Sequence, residues 1–138
     1  MAKVSMTTEV PVPVAEVWRL IGGFNALPEW HPAVEKSELQ EGGRVRRMQL
    51  AGGGSIVERL QSFNENEHEY SYSIEQGPLP VTNYKATIRV HQEPGKSGAV
   101  VEWSSEFAPS GAGESDAVAA ITGIYQAGFD NLKKLLGG

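Results

Sequence analysis

Residues 81–109 read VTNYKATIRVHQEPGKSGAVVEWSSEFAP, and both halves of this stretch alternate around a turn. In the first half Tyr84, Ala86, Ile88 and Val90 oppose Lys85, Thr87, Arg89 and His91. In the second, Val101, Trp103 and Phe107 oppose Val100, Glu102, Ser104 and Glu106. A period of two marks strands, here over 81–92 and 98–107, with one face covered and the other wet. Pro94-Gly95-Lys96 between them is a turn signal, so the pair reads as an antiparallel hairpin.

The same pattern extends upstream. Strands are expected at 34–40, 44–50, 56–63 and 69–76, separated by short joints rich in glycine, asparagine and proline. Short joints make consecutive strands antiparallel neighbours, so six strands form a meander. An earlier strand over 3–10 carries Val4, Met6, Thr8 and Val10 on one face and ends at Pro11 and Pro13. Helical spacing follows in Val14, Val17, Trp18 and Ile21, up to Gly22-Gly23. A short second helix is expected over Asn25–Glu29, with Asn25 as its cap.

From Glu114 to Leu136 no proline interrupts, and Val118, Ile121, Ile124, Leu132 and Leu135 mark a helical stripe. Glu114 and Asp116 at its start, and Lys133 and Lys134 at its end, suit the helix dipole. Small residues Gly123, Ala127 and Gly128 on or beside the inner stripe predict room between helix and sheet. The expected fold is α+β, one domain over 1–138. A seven-stranded antiparallel curved sheet wraps around the long C-terminal helix, with two short helices between strands one and two.

Composition narrows the function. A net charge of −5, with no run of lysine and arginine longer than two, argues against nucleic acid and against a basic membrane patch. No apolar run nears the roughly 18 residues of a membrane span. Zero cysteines exclude a disulfide framework, thiolate metal site or thiol nucleophile. The opening MAKVSMTTEV lacks a signal peptide's apolar region, so a cytoplasmic location is expected.

Few motifs carry chemistry. Gly95-Lys96-Ser97 lacks the first glycine of a phosphate loop, and Gly52-Gly53-Gly54 lies between strands rather than before a helix. His31, His68 and His91 have no ligand-like spacing, so no metal is expected. Polar residues facing inward say more, because a buried charge needs a partner. Glu58 alternates with Ile56 and Leu60, and Arg46 with Met48 and Leu50. The opposite register would turn Arg59 inward instead. Glu58 and Arg46 are either a structural ion pair or groups at a cavity. Trp18, Tyr72, Tyr84 and Trp103 are either core or cavity wall. In LPEWHPAV, residues 27–34, Trp30 anchors an elbow between Pro28 and Pro32. His31 points either into a cavity or to solvent.

The element order resembles the Bet v 1-like, or START-like (SRPBCC), helix-grip superfamily over essentially the whole chain. The resemblance rests on Val17-Trp18 with Phe24, Glu58-Arg59-Leu60, Asn83-Tyr84-Lys85 and Asn131-Leu132-Lys133-Lys134-Leu135. The chain is most similar to small stand-alone proteins of the polyketide cyclase/dehydratase-like branch, with Gly77-Pro78-Leu79-Pro80 typical of them. The resemblance implies a deep apolar cavity between sheet and C-terminal helix. It also implies that His31 falls where plant abscisic-acid receptors place a cavity lysine. Glu58 and Tyr84 would be polar cavity positions and Tyr72 an aromatic one. Gly52, Gly53 and Gly54 would lie in a gate loop, and Gly77, Pro78 and Leu79 in a latch. The gate lacks the leucine and proline that lock over a hormone in those receptors. Lachrymatory-factor-synthase-like relatives share Glu-Arg-Leu but carry an acidic residue where this chain has Ser73.

The functional expectation is a cavity binding a hydrophobic or amphipathic small molecule of lipid, polyketide or aromatic type. Its wall would hold Trp30, His31, Arg46, Met48, Glu58, Tyr72, Tyr84, Trp103 and Ile124, around a volume on the order of 300 Å3 or more. If the same site is a cyclase, dehydratase or isomerase, His31 and Glu58 are the acid/base candidates. The third reading is a co-chaperone-like or toxin-like interaction module. No cofactor is needed, and the expected state is a monomer or weak homodimer without nucleic acid or membrane insertion. His31→Ala is expected to leave the fold intact.

Overall fold

In the computed structural model, which describes residues 1–137, β1 spans Ala2–Val10 and stops where Pro11 and Pro13 withdraw backbone donors. Pro13 then caps α1, Val14–Ile21, which buries Val17, Trp18 and Ile21. A single turn, α2, follows at Leu27–Trp30. The meander comprises β2 (Val34–Gln40), β3 (Val45–Leu50), β4 (Ser55–Asn64), β5 (Glu69–Gln76), β6 (Val81–His91) and β7 (Ala99–Pro109). The chain closes with α3, Glu114–Leu136.

The seven strands form one antiparallel sheet in the order β1-β7-β6-β5-β4-β3-β2. The α1–α2 segment therefore carries the chain from one sheet edge to the other. Irregular pairing interrupts the ladders between Val34 and Lys36, on both sides of Glu58 in β4, and between Thr82 and Lys85. Bulges bend the strand and re-aim side chains. Three of these irregularities lie beside Glu58 and Tyr84, both buried. Pairing of β5 with β6 extends only to Ser73↔Lys85. Beyond it β5 stays with β4, through Val57↔Gln76, and β6 with β7, through Val81↔Pro109.

α3 lies against β1, β7 and α2. Ala117, Ile121, Tyr125, Gly128, Phe129 and Leu132 form its buried face. Fully burying a side chain such as Leu132 or Phe129 contributes about 1.5–3 kcal/mol. Gly137, at φ +79°, ends the helix in the left-handed conformation that glycine adopts without strain.

Several expectations change. Asn25 is not the cap of α2; Ala26 is, and Asn25 accepts a hydrogen bond from the Ser37 hydroxyl instead. Leu135 is 51% exposed, because the helical stripe returns to the core at Leu136. Val118 and Ile124 are half-buried and Gly123 is exposed. Val100, expected on the wet face, is buried along with Ala99 and Val101.

Candidate functional site

Between α3, α2 and the concave sheet face lies a cavity of about 220 Å3. Met48, Ile56, Tyr72, Tyr84, Trp103, Ile121 and Ile124 are among the residues of its wall, with Glu58 and His31 reaching it. The volume is below the expected 300 Å3 because aromatic side chains fill the adjoining space. Tyr125 stacks on Trp103 with ring centres 4.1 Å apart, and Trp30 and Phe129 pack on the same indole.

Cross-strand register pairs Arg46 of β3 with Glu58 of β4. Arg46 Nε donates to Glu58 Oε1 at 2.8 Å, and Nη2 lies 2.7 Å from the same oxygen. Nη1 donates to the Phe24 carbonyl at 2.7 Å and to the Tyr70 hydroxyl at 3.4 Å. The guanidinium also sits over the Phe24 ring, 4.2 Å from its centre. Arg46 is thus held behind Glu58 and does not line the cavity, contrary to the alternation-based expectation. Alternation reports which face a residue takes, not how deep it lies. Burial raises the Glu58 pKa, with Arg46 opposing the shift. Arg46 is raised too: burial pulls it down, but Tyr70 and Glu58 outweigh that. Glu58 Oε2 makes no hydrogen bond to the described residues. Arg59 faces outward, between Glu41 and Glu75 at 3.1 Å each.

His31 is 2% exposed, and both ring nitrogens are engaged. Nδ1 accepts the Ala33 amide at 3.1 Å, so Nε2 carries the proton and donates to the Ile124 carbonyl at 2.8 Å. Burial lowers its pKa, against the Ile124 hydrogen bond. The elbow therefore does use its imidazole, and the expectation that His31→Ala spares the fold is revised. Trp30 is sealed beside it, and Asn131 of α3 donates to the Trp30 carbonyl at 2.8 Å. Gly128 supplies closeness rather than room. A Cβ there would meet His31 Cδ2 at 2.8 Å and both Trp30 and Trp103 at 3.1 Å.

A chain of hydroxyls runs along the cavity wall. Trp103 Nε1 donates to the Tyr72 hydroxyl at 2.9 Å, Tyr72 lies 3.4 Å from the Tyr84 hydroxyl, and Tyr84 bonds Tyr125. Burial raises all three tyrosine pKa values, so each hydroxyl keeps its proton at neutral pH. Sequence reasoning missed Tyr125. Its signal was available: it lies four residues from both Ile121 and Phe129, on one helical stripe.

The glycine loop and the proline loop border the cavity only through Ala51 and Leu79. Gly52, Gly53 and Gly54 all have positive φ, are exposed, and meet nothing a Cβ would touch. Gly77 and Pro78 are exposed as well.

Against known proteins, the solved structure of XoxI from Bacillus cereus is 42% identical, with a TM-score of 0.94 over 99% of this chain and 96% of that one. An uncharacterised protein from Bacillus thuringiensis is 40% identical, with a TM-score of 0.95 over 99% of this chain and all of the other. Among curated relatives, abscisic acid receptor PYL6 of Arabidopsis thaliana is 24% identical over 92% of this chain, which spans 65% of the receptor. A family model described as polyketide cyclase / dehydrase and lipid transport matches residues 1–137. With the helix-grip sheet, the long α3 and that match across the described residues, the chain belongs to the polyketide cyclase / dehydrase and lipid transport family.

Proposed function

We propose that the chain binds a small hydrophobic or amphipathic molecule in the cavity between α3 and the sheet. One observation carries the reading: a mostly apolar cavity has a buried carboxylate at its wall with an oxygen that no described side chain uses. That oxygen is open to the cavity rather than sealed, since the buried side-chain polar atoms without a partner among the described residues are Trp30 Nε1, Arg89 Nε and Ser105 Oγ. The family's description includes lipid transport, and a relative is named as a receptor for abscisic acid, which fits the same reading. No cofactor is required. Free diffusion in the cytoplasm as a monomer or weak homodimer accords with it.

The test is native mass spectrometry of protein purified from its host, followed by thermal shift with any compound released. A retained small molecule that raises the melting temperature is expected. Ile124→Trp, which fills the cavity, should abolish both the retained mass and the shift. An empty wild-type protein that no apolar compound stabilises would remove the proposal.

Catalysis in the same cavity is the second reading, favoured by the burial-raised Glu58 carboxyl and its spare oxygen. Glu58, not His31, is then the proton-exchanging group, since both His31 nitrogens are occupied. An enzyme would return the compound altered; a carrier would return it unchanged. The interaction-module reading has less support. The large exposed apolar residues Leu39, Phe63 and Leu135 sit on three different elements.

A further inference from the structure

The polar atoms at the cavity wall share one property. The ring donors there are committed inside the protein, His31 Nε2–H to Ile124 and Trp103 Nε1–H to Tyr72, and behind the wall the guanidinium of Arg46 is spent on Glu58, Phe24 and Tyr70. An indole can only donate, so Tyr72 accepts from Trp103; either hydroxyl can donate in the Tyr72–Tyr84 and Tyr84–Tyr125 pairs, and a chain running toward Tyr125 leaves lone pairs at the wall. What remains toward the cavity is acceptor capacity: Glu58 Oε2 and the lone pairs of Tyr72 and Tyr84. No lysine and no free guanidinium is among the residues lining it.

Resting on the binding reading above, we propose that this cavity selects an uncharged ring compound bearing a hydroxyl, and rejects the carboxylate of the same shape. A phenol or alcohol donates to Glu58 Oε2 and completes the carboxylate's bonding. A carboxylate ligand brings a second negative charge beside Glu58 and finds no cation facing it. It would also lose its hydration without replacement, which is costly in an apolar enclosure. The volume sets the size. At about 220 Å3 the space is below the range of about 300–1,000 Å3 of ordinary ligand pockets, which favours a compact ring compound over a long lipid chain.

The experiment uses the full chain and three probes of one shape: 2-naphthol, naphthalene and 2-naphthoate, titrated by calorimetry at neutral pH. 2-Naphthol is expected to bind about tenfold or more tighter than either of the others, the effect of one hydrogen bond to a charged acceptor. Glu58→Gln should bring the 2-naphthol and 2-naphthoate affinities closer by about the same factor, since the like charge is gone. The wild-type series decides alone if that variant does not fold. If naphthalene equals 2-naphthol, the cavity binds and the selectivity proposal is wrong. Should 2-naphthoate match or exceed 2-naphthol, the proposal is equally overturned. Binding of none of the three overturns this proposal, while the binding reading beneath it stands or falls on the retained compound and the thermal shift.

Discussion

The elbow around His31 and the sheet floor around Glu58 border one cavity, yet they differ in what they leave over. At the elbow, one imidazole meets one amide and one carbonyl, and its hydrogen-bonding capacity is spent. At the floor, Arg46 directs two nitrogens at one oxygen of Glu58 and leaves the other without a protein partner. Both groups are buried and polar, so burial alone does not separate scaffold from site. The remainder separates these two groups, the imidazole spent and the carboxylate not, while Trp30 Nε1 beside the imidazole is buried without a partner among the described residues.

Breaking the floor should cost the most. Arg46→Met leaves a buried carboxylate without its cation and is expected to lose about 3–5 kcal/mol in urea unfolding. The double variant Arg46→Met/Glu58→Leu should recover most of that loss. A single variant that unfolds like wild type would show that Glu58 does not need its cation, and the contrast with the elbow would collapse. At the elbow, His31→Ala strands the Ala33 amide and is expected to cost about 1–3 kcal/mol by the same measurement. Gly128→Ala presses a methyl into His31 and two indoles, and about 1–2 kcal/mol of destabilisation is expected from overpacking. Tyr125→Phe removes one hydroxyl from the wall chain and should cost about 1 kcal/mol.

Acid gives the smallest effect. The folded His31 pKa lies below 6.5, so the unfolded chain takes up the proton first as pH falls. That stabilisation is complete above pH 6.5 and fades as pH falls toward the folded value. Glu58, raised in the folded state, contributes with the opposite sign. The difference between wild type and His31→Ala across this range isolates the imidazole. Parallel pH profiles for the two proteins would mean the elbow carries no proton linkage.

Most of the architecture was legible because turns and strand ends carry their own chemistry. The glycines and prolines at each joint, and the proline-free run from Glu114 to Leu136, place the elements to within a few residues. Depth was not legible. Arg46 and Glu58 show the same alternation, and only three-dimensional packing puts one behind the other. Gly128 was read as space because a missing side chain looks like room in one dimension; two indoles and an imidazole occupy it. The α2 turn, four residues long, offers too little periodicity to fix its start, so Asn25 looked like a cap. The α3 stripe was counted on aliphatic residues, which passed over Tyr125 and Phe129.

The pairing of β1 with β7 has a consequence for how the chain reaches this structure. Ala2 finds its partner in Phe107, and His31 and Trp30 are tied to α3 across 93 and 101 positions. During synthesis the first strand and the elbow must wait, exposed, until nearly the whole chain has emerged. The hairpins of the meander close early through short loops, whereas the cavity is completed by long loops whose entropy must be overcome late. Folding should therefore be slow for a chain of this length, with relaxation in the range of about milliseconds to seconds. Its unpaired β1 edge is the segment most exposed to misassembly on the way.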